Sequence, residues 1–163
     1  MLKRIVLPAV LSLAALSPAL ANVDLVPWGE SGAWKILKDP NRGNGCLVET
    51  GYGDGTYLRI GFDKKGDGTG YVSSFNPAWT EIKEDKKYDV TVTFGDQSFV
   101  GEGRGGKLGD MHGIIVKSNN LDLLVALAEA ESVNLAVAGG PGLDLGLEGS
   151  KDALTQALVC QAE

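Results

Sequence analysis

Tyr88-Asp89-Val90-Thr91-Val92-Thr93-Phe94 alternates without a break, apolar at every second position and polar between, and Gly95-Asp96 follows at once. A period of two belongs to a strand with one face on a core and the other in water. Gly-X is a two-residue hairpin turn, so the chain must return as an antiparallel partner, with Phe99 opposite Val92 and the strand running to about Gly101.

The same reading extends in both directions. Upstream, residues 56–62 place Leu58, Ile60 and Phe62 on one side and Tyr57, Arg59 and Gly61 on the other. The turn Asp63-Lys64-Lys65-Gly66-Asp67-Gly68 joins them to residues 70–75, where Tyr71, Ser73 and Phe75 share a face, and the two form a hairpin. Residues 33–38 and 46–50 are two further strands around the turn-forming run 39–45, while Pro27, Trp28 and Gly29 read as a lead without structure.

Downstream, residues 101–109 read as a glycine-rich loop and residues 112–117 as a short strand with Ile114 and Val116 on one face. Residues 121–131 are helix formers behind a capping Asn120, with Asp122 at the positive helix end. Their apolar side, Leu121, Leu124, Val125 and Ala128, lies opposite Asp122 and Glu129. Residues 133–138 and 143–147 alternate around Gly139-Gly140-Pro141-Gly142, and Ser150 caps a terminal helix. The expected fold is α+β, with a mainly antiparallel sheet of about eight strands, hairpin connections and two helices, the second C-terminal.

At 163 residues, 44% hydrophobic and 22% charged, the chain has the balance of one globular domain. A net charge of -6 removes the attraction that supplies most affinity for nucleic acid. One His and two Cys leave little material for a transition-metal cluster, and no cofactor is indicated.

Lys3 and Arg4 precede an apolar run over residues 5–16, and Ala19-Leu20-Ala21 supplies the small residues at -3 and -1 that signal peptidase accepts. The expected organisation is a signal peptide over residues 1–21, cleaved before Asn22, and a single globular domain over residues 22–163. After cleavage no membrane span remains, and the protein is periplasmic or secreted. An oxidising compartment makes a bridge the default for two cysteines, so Cys46 and Cys160 are paired. Cys160 lies at i+3 from Ala157 and i+7 from Ala153, on the core side of the last helix.

Two motifs are tempting and incomplete. Gly101-Glu102-Gly103-Arg104-Gly105-Gly106-Lys107 nearly spells a phosphate loop, but Leu108 stands where a metal-binding hydroxyl is needed and no helix follows. Asp63, Lys65, Asp67 and Gly68 resemble the opening of a calcium loop, with a cation at the third position and Ser74 in place of the bidentate Glu. His112, with Asp110 nearby, is the one imidazole base, and no nucleophile stands beside it in sequence. The remaining signal is aromatic: Trp28, Tyr52 and Tyr57 lie in or beside glycine-rich loops and are the candidate binding residues.

Trp34-Lys35-Ile36 before Gly45-Cys46, Asp54-Gly55-Thr56 before a strand, the Asn76-Pro77-Ala78-Trp79 turn, and Leu145-Gly146-Leu147-Glu148-Gly149-Ser150 before a helix ending in Cys160 form one layout. It resembles that of small exported proteobacterial proteins of unknown function with one disulfide. The resemblance covers most of the mature chain and implies a fold without an activity. The expected function is a non-enzymatic envelope protein that binds a protein partner or a cell-wall glycan, inhibition of a hydrolase being one form. The alternative is a small hydrolase in which Glu49, Asp54, Glu81 and Glu102 converge.

Overall fold

The structure is a computed structural model that describes residues 24–63 and 68–163. The expected signal peptide and cleavage site lie outside the described residues, as does most of the calcium-like loop.

All the strands among the described residues belong to one antiparallel sheet. In chain order they are β1 (Val26–Ser31), β2 (Trp34–Asp39), β3 (Gly45–Gly51), β4 (Tyr57–Phe62), β5 (Gly70–Asn76), β6 (Lys87–Phe94), β7 (Gln97–Leu108), β8 (Met111–Ser118), β9 (Ser132–Val137) and β10 (Gly142–Gly146). Their order across the sheet is β1-β2-β3-β4-β5-β8-β7-β6-β9-β10. The first five follow one another as a meander, β6 to β8 are laid down in reverse, and β9 and β10 complete the far edge. The hairpin that opened the sequence reading is β6 and β7, with Val92 opposite Phe99.

Two helices, α1 (Leu121–Glu129) and α2 (Ser150–Ala162), lie on one face, with α2 across β1 to β4 and touching α1. The covered face is apolar at every second strand position: Trp34, Ile36, Val48, Leu58, Ile60, Val72, Val90, Val92, Ile114 and Leu135 meet Leu123, Leu127, Ala153, Leu154 and Ala157 in one core. The α+β class, the antiparallel sheet and the C-terminal second helix agree with the sequence. The bridge does too, since Cys46 in β3 and Cys160 in α2 are joined with their Cα atoms 6.1 Å apart. Asn120 caps α1, its side chain accepting the Asp122 amide at 3.0 Å. Among the described residues no helix is long and apolar enough to cross a membrane.

The sheet has ten strands where about eight were expected, and the sequence reading departs from it locally in four places. The lead through Pro27 and Trp28 is strand β1; Pro27 is tolerated because this is an edge strand, and the register breaks between Pro27 and Gly29. The glycine-rich loop of residues 101–109 is strand as far as Leu108. Gly103 and Gly106 serve close packing, because a Cβ on Gly103 would strike Val90 and Ile114, and one on Gly106 would strike Ile115. The residue capping α2 is Gly149, at φ 78, and not Ser150, which is the first helical residue and is buried. Val125, placed on the apolar side of α1, is 62% exposed, and it is Leu123, Leu124 and Leu127 that are buried.

Candidate functional site

The face of the sheet away from the helices is built from the other half of each strand. Its small core is Leu37, Leu47 and Tyr71, with Leu25 and Ile115 against it. Two rings on β5 set its shape. Tyr71 pairs with Gly61 on β4, and Phe75 pairs with Gly113 on β8. A side chain on Gly61 would reach to 2.6 Å from the Tyr71 ring, and one on Gly113 would overlap Phe75, so each ring lies flat across a glycine of the neighbouring strand.

An arginine covers each ring from outside. The Arg42 guanidinium carbon sits 4.4 Å from the Tyr71 centroid, and that of Arg59 sits 5.9 Å from the Phe75 centroid. Carboxylates hold both cations in place. Arg42 lies 3.3 Å from Asp63 and 3.6 Å from Asp39, and Arg59 Nε donates to Glu49 at 2.6 Å. Lys117, directly opposite Tyr71 on β8, is 3.5 Å from Asp63.

These residues line a groove of about 1070 Å3 that runs from Asp24 and Leu25 to Lys107, Leu108 and Gly109. Arg42, Arg59, Lys107 and Lys117 line it together with Asp24, Asp39 and Asp63, so both signs of charge lie over a floor of buried rings. Sequence reading missed the groove because glycine opposite an aromatic ring is a cross-strand relation, invisible along one strand.

The three candidate rings do not come together. Tyr57 is on the open face beside Phe75, its partner in register, and is 36% exposed. Tyr52 is half-buried against the main core, and its hydroxyl donates to the Gly146 carbonyl at 2.7 Å. Trp28 is half-buried too, and its Nε1 donates to Glu163 at 2.9 Å. That bond, with a second from Lys38, holds the Glu163 carboxyl below the usual range. A lowered value means that this clasp on β1 contributes above the ordinary carboxylate range and is lost as pH falls through the folded value.

The four acidic residues of the hydrolase alternative do not meet either. Glu49 is bonded to Arg59, and Glu102 lies 3.0 Å from Lys87 on the far side of the sheet. Four strand spacings separate β3 from β7, about 19 Å along the sheet. Asp54 is taken up by the Thr56 amide and hydroxyl, both at 2.9 Å, which hold its carboxyl below the usual range. Asn76 then donates to Thr56 Oγ1 at 2.7 Å, so the Asp54-Gly55-Thr56 and Asn76-Pro77-Ala78-Trp79 turns are one network. His112 is half-buried on β8, and its Nδ1 is buried without a hydrogen-bond partner among the described residues.

Burial pushes the phenols of both Tyr52 and Tyr71 up to about 12. Because the folded values lie above the unfolded one, the associated stability is complete below about pH 10 and is lost as pH rises through the folded values. Absorbance titration near 295 nm should find these two groups still protonated at about pH 11. Tyr52→Phe and Tyr71→Phe should each remove one late step, and ionisation of both near 10 would contradict their packing.

No protein-family model matches the chain. A comparison with curated protein sequences also finds no match. Among solved structures, the crystal structure of invasion associated protein B from Bartonella henselae superposes with a TM-score of 0.58 at 16% identity, over 83% of this chain and 98% of that one. At that identity the likeness is one of fold, and the chain shares its architecture with the Bartonella protein over most of both molecules.

Proposed function

We propose that this is an exported, non-enzymatic envelope protein that binds a protein partner on the open face of its sheet, inhibition of a hydrolase being one form such binding takes. The observation that carries the reading is the covering of Tyr71 and Phe75 by Arg42 and Arg59. A sugar that binds by stacking needs a bare ring face, and these rings are buried between glycine and guanidinium. What the groove offers instead is a row of fixed charges of both signs, which suits the mixed side chains of a protein surface. Export is supported by the charge and apolar order of residues 1–21 and by the Cys46–Cys160 bridge, which an oxidising compartment favours. The shared fold with a protein named as invasion associated fits an envelope role.

A photo-crosslinking residue in place of Ile115, within the groove, tests this in cells that make the protein. The expected result is one dominant protein adduct that Lys117→Glu abolishes. In parallel, tetra-N-acetylglucosamine added to the purified protein should leave the groove resonances unmoved. Saturable shifts at Tyr71 and Lys117 with the sugar, and no protein adduct, would sink the reading in favour of a glycan.

A further inference from the structure

Ser73 lies on β5 between Tyr71 and Phe75, on the floor of the groove. It is 2% exposed, and among the described residues its side chain has no hydrogen-bond partner. The small area that it keeps opens into the groove. Its neighbour makes the contrast, since Ser74, on the helix side, donates its hydroxyl to the Tyr57 carbonyl at 3.3 Å. A hydroxyl withdrawn from water without a partner costs folding energy, and an acceptor that arrives from outside recovers it.

Strand register sets the charges around this hydroxyl. Across β4, β3 and β2 the row through Ser73 runs Arg59, Glu49 and Lys35. Across β8, β7 and β6 it runs Ile115, Arg104 and Lys87. Four cations and one carboxylate thus share a row, in a chain whose net charge is -6. Glu49 engages Arg59 through Nε and Nη2. A guanidinium carries five N–H donors, so Arg59 can hold Glu49 and a second acceptor at once. Arg104 and Lys87 reach Asp85 and Glu102 at 3.6 and 3.0 Å, but both pairs are exposed, where solvent screens them. Asp39 and Asp63 lie at the Tyr71 end of the groove, on Arg42.

We propose that Ser73 and Arg59 form a carboxylate-binding subsite at the centre of the groove, and that its ligand is an aspartate or glutamate side chain of the protein partner. The hydroxyl donates to one carboxylate oxygen and the guanidinium to the other, both as charge-assisted bonds. Ile115, half-buried on the other side of Ser73, offers an apolar wall to the stem of the acidic residue, and the cations of the row attract it. The proposal rests on the groove being a protein-binding face and adds the chemistry that the partner presents there.

The probe is the peptide acetyl-Ala-Ala-Glu-Ala-Ala-amide, titrated into the purified protein at constant ionic strength and followed through amide and arginine Nε resonances. Saturable shifts are expected at Ser73, Ile115 and Arg59, none with the glutamine peptide, and an affinity about tenfold weaker in Ser73→Ala. The urea midpoint of Ser73→Ala should be no lower than that of the wild type, because the lost hydroxyl has no partner in the free protein, so weaker binding is not a folding defect. Ser74→Ala should leave the affinity unchanged. In cells, Ser73→Ala should cut the adduct formed from position 115 about tenfold. The proposal is overturned if the glutamine peptide binds as well, if Ser73→Ala binds the glutamate peptide equally, or if free succinate shifts these resonances at lower concentration than the peptide, which would assign the subsite to small soluble acids. An adduct that Ser73→Ala leaves untouched overturns the subsite and keeps the protein-binding reading. Absence of any protein adduct overturns that reading, and with it the assignment to a partner's side chain, even where the glutamate peptide binds.

Discussion

Replacing Cys46 and Cys160 together by alanine is expected to cost about 4 to 5 kcal/mol of folding stability, the largest effect of any change considered for this protein. The bridge joins residues 114 apart, so it closes nearly the whole described fold into one loop and removes much of the freedom of the unfolded chain. Both sulfur-bearing side chains are also buried, and their loss leaves a small void under α2. Urea unfolding checks this: with a slope of about 2 kcal/mol per molar, the midpoint should fall by roughly 2 M. The unreduced wild-type protein should show no titratable thiol when denatured. A loss under about 1 kcal/mol would mean that the other clasps hold α2 without the bridge.

Those clasps lead to the second expectation, that Trp34→Ala costs about 3 to 5 kcal/mol. Trp34 is buried at the start of β2, its Nε1 donates to the Glu148 carbonyl at 2.8 Å, and its ring lies 3.6 Å from where a side chain on Gly149 would begin. It therefore secures the turn from which α2 departs, at the opposite end of the helix from Cys160. Truncation opens a cavity and orphans a carbonyl at once. Trp34→Phe keeps most of the volume and loses the hydrogen bond, so it should cost only about 1 to 2 kcal/mol. Equal losses in the two variants would show that the bond, and not the packing, carries the effect. Gln161 adds a third clasp, accepting the Cys46 amide at 2.7 Å. Since Trp34 and the bridge act on one element, the losses of the two sets of variants should fail to add.

Both large effects concern the attachment of α2 to the first strands, and the bridge in that attachment was legible in the sequence. Cys160 at helical spacing from Ala153 and Ala157 assigned the thiol to the core side, and the expectation of an oxidising compartment assigned its partner. The alternation of residues 88–94 and the turn at Gly95-Asp96 likewise settled β6, the start of β7 and the antiparallel class. Such signals are local: a period of two states which side chains share a face, and a turn residue states where the chain reverses.

Where the sequence misled about the glycines, the candidate rings and the groove, the missing information was the identity of a distant neighbour. Glycines 103, 105 and 106 look like a loop until Val90, the Lys83 carbonyl and Ile115 are seen pressing on them. Trp28 and Tyr52 look free in glycine-rich surroundings, yet their polar atoms reach Glu163 and Gly146, 135 and 94 residues further along. Arg42 lies in the turn after β2 and Arg59 on β4, and only the pairing of β4, β5 and β8 puts a ring and its glycine beneath them. The sequence by itself determined most of the strands with their faces, the class and the bridge, because each depends on spacing within one segment. Which face the helices cover and which rings lie over which glycines were decided by the tertiary structure alone, because register between strands far apart in the chain is set by packing on both faces at once.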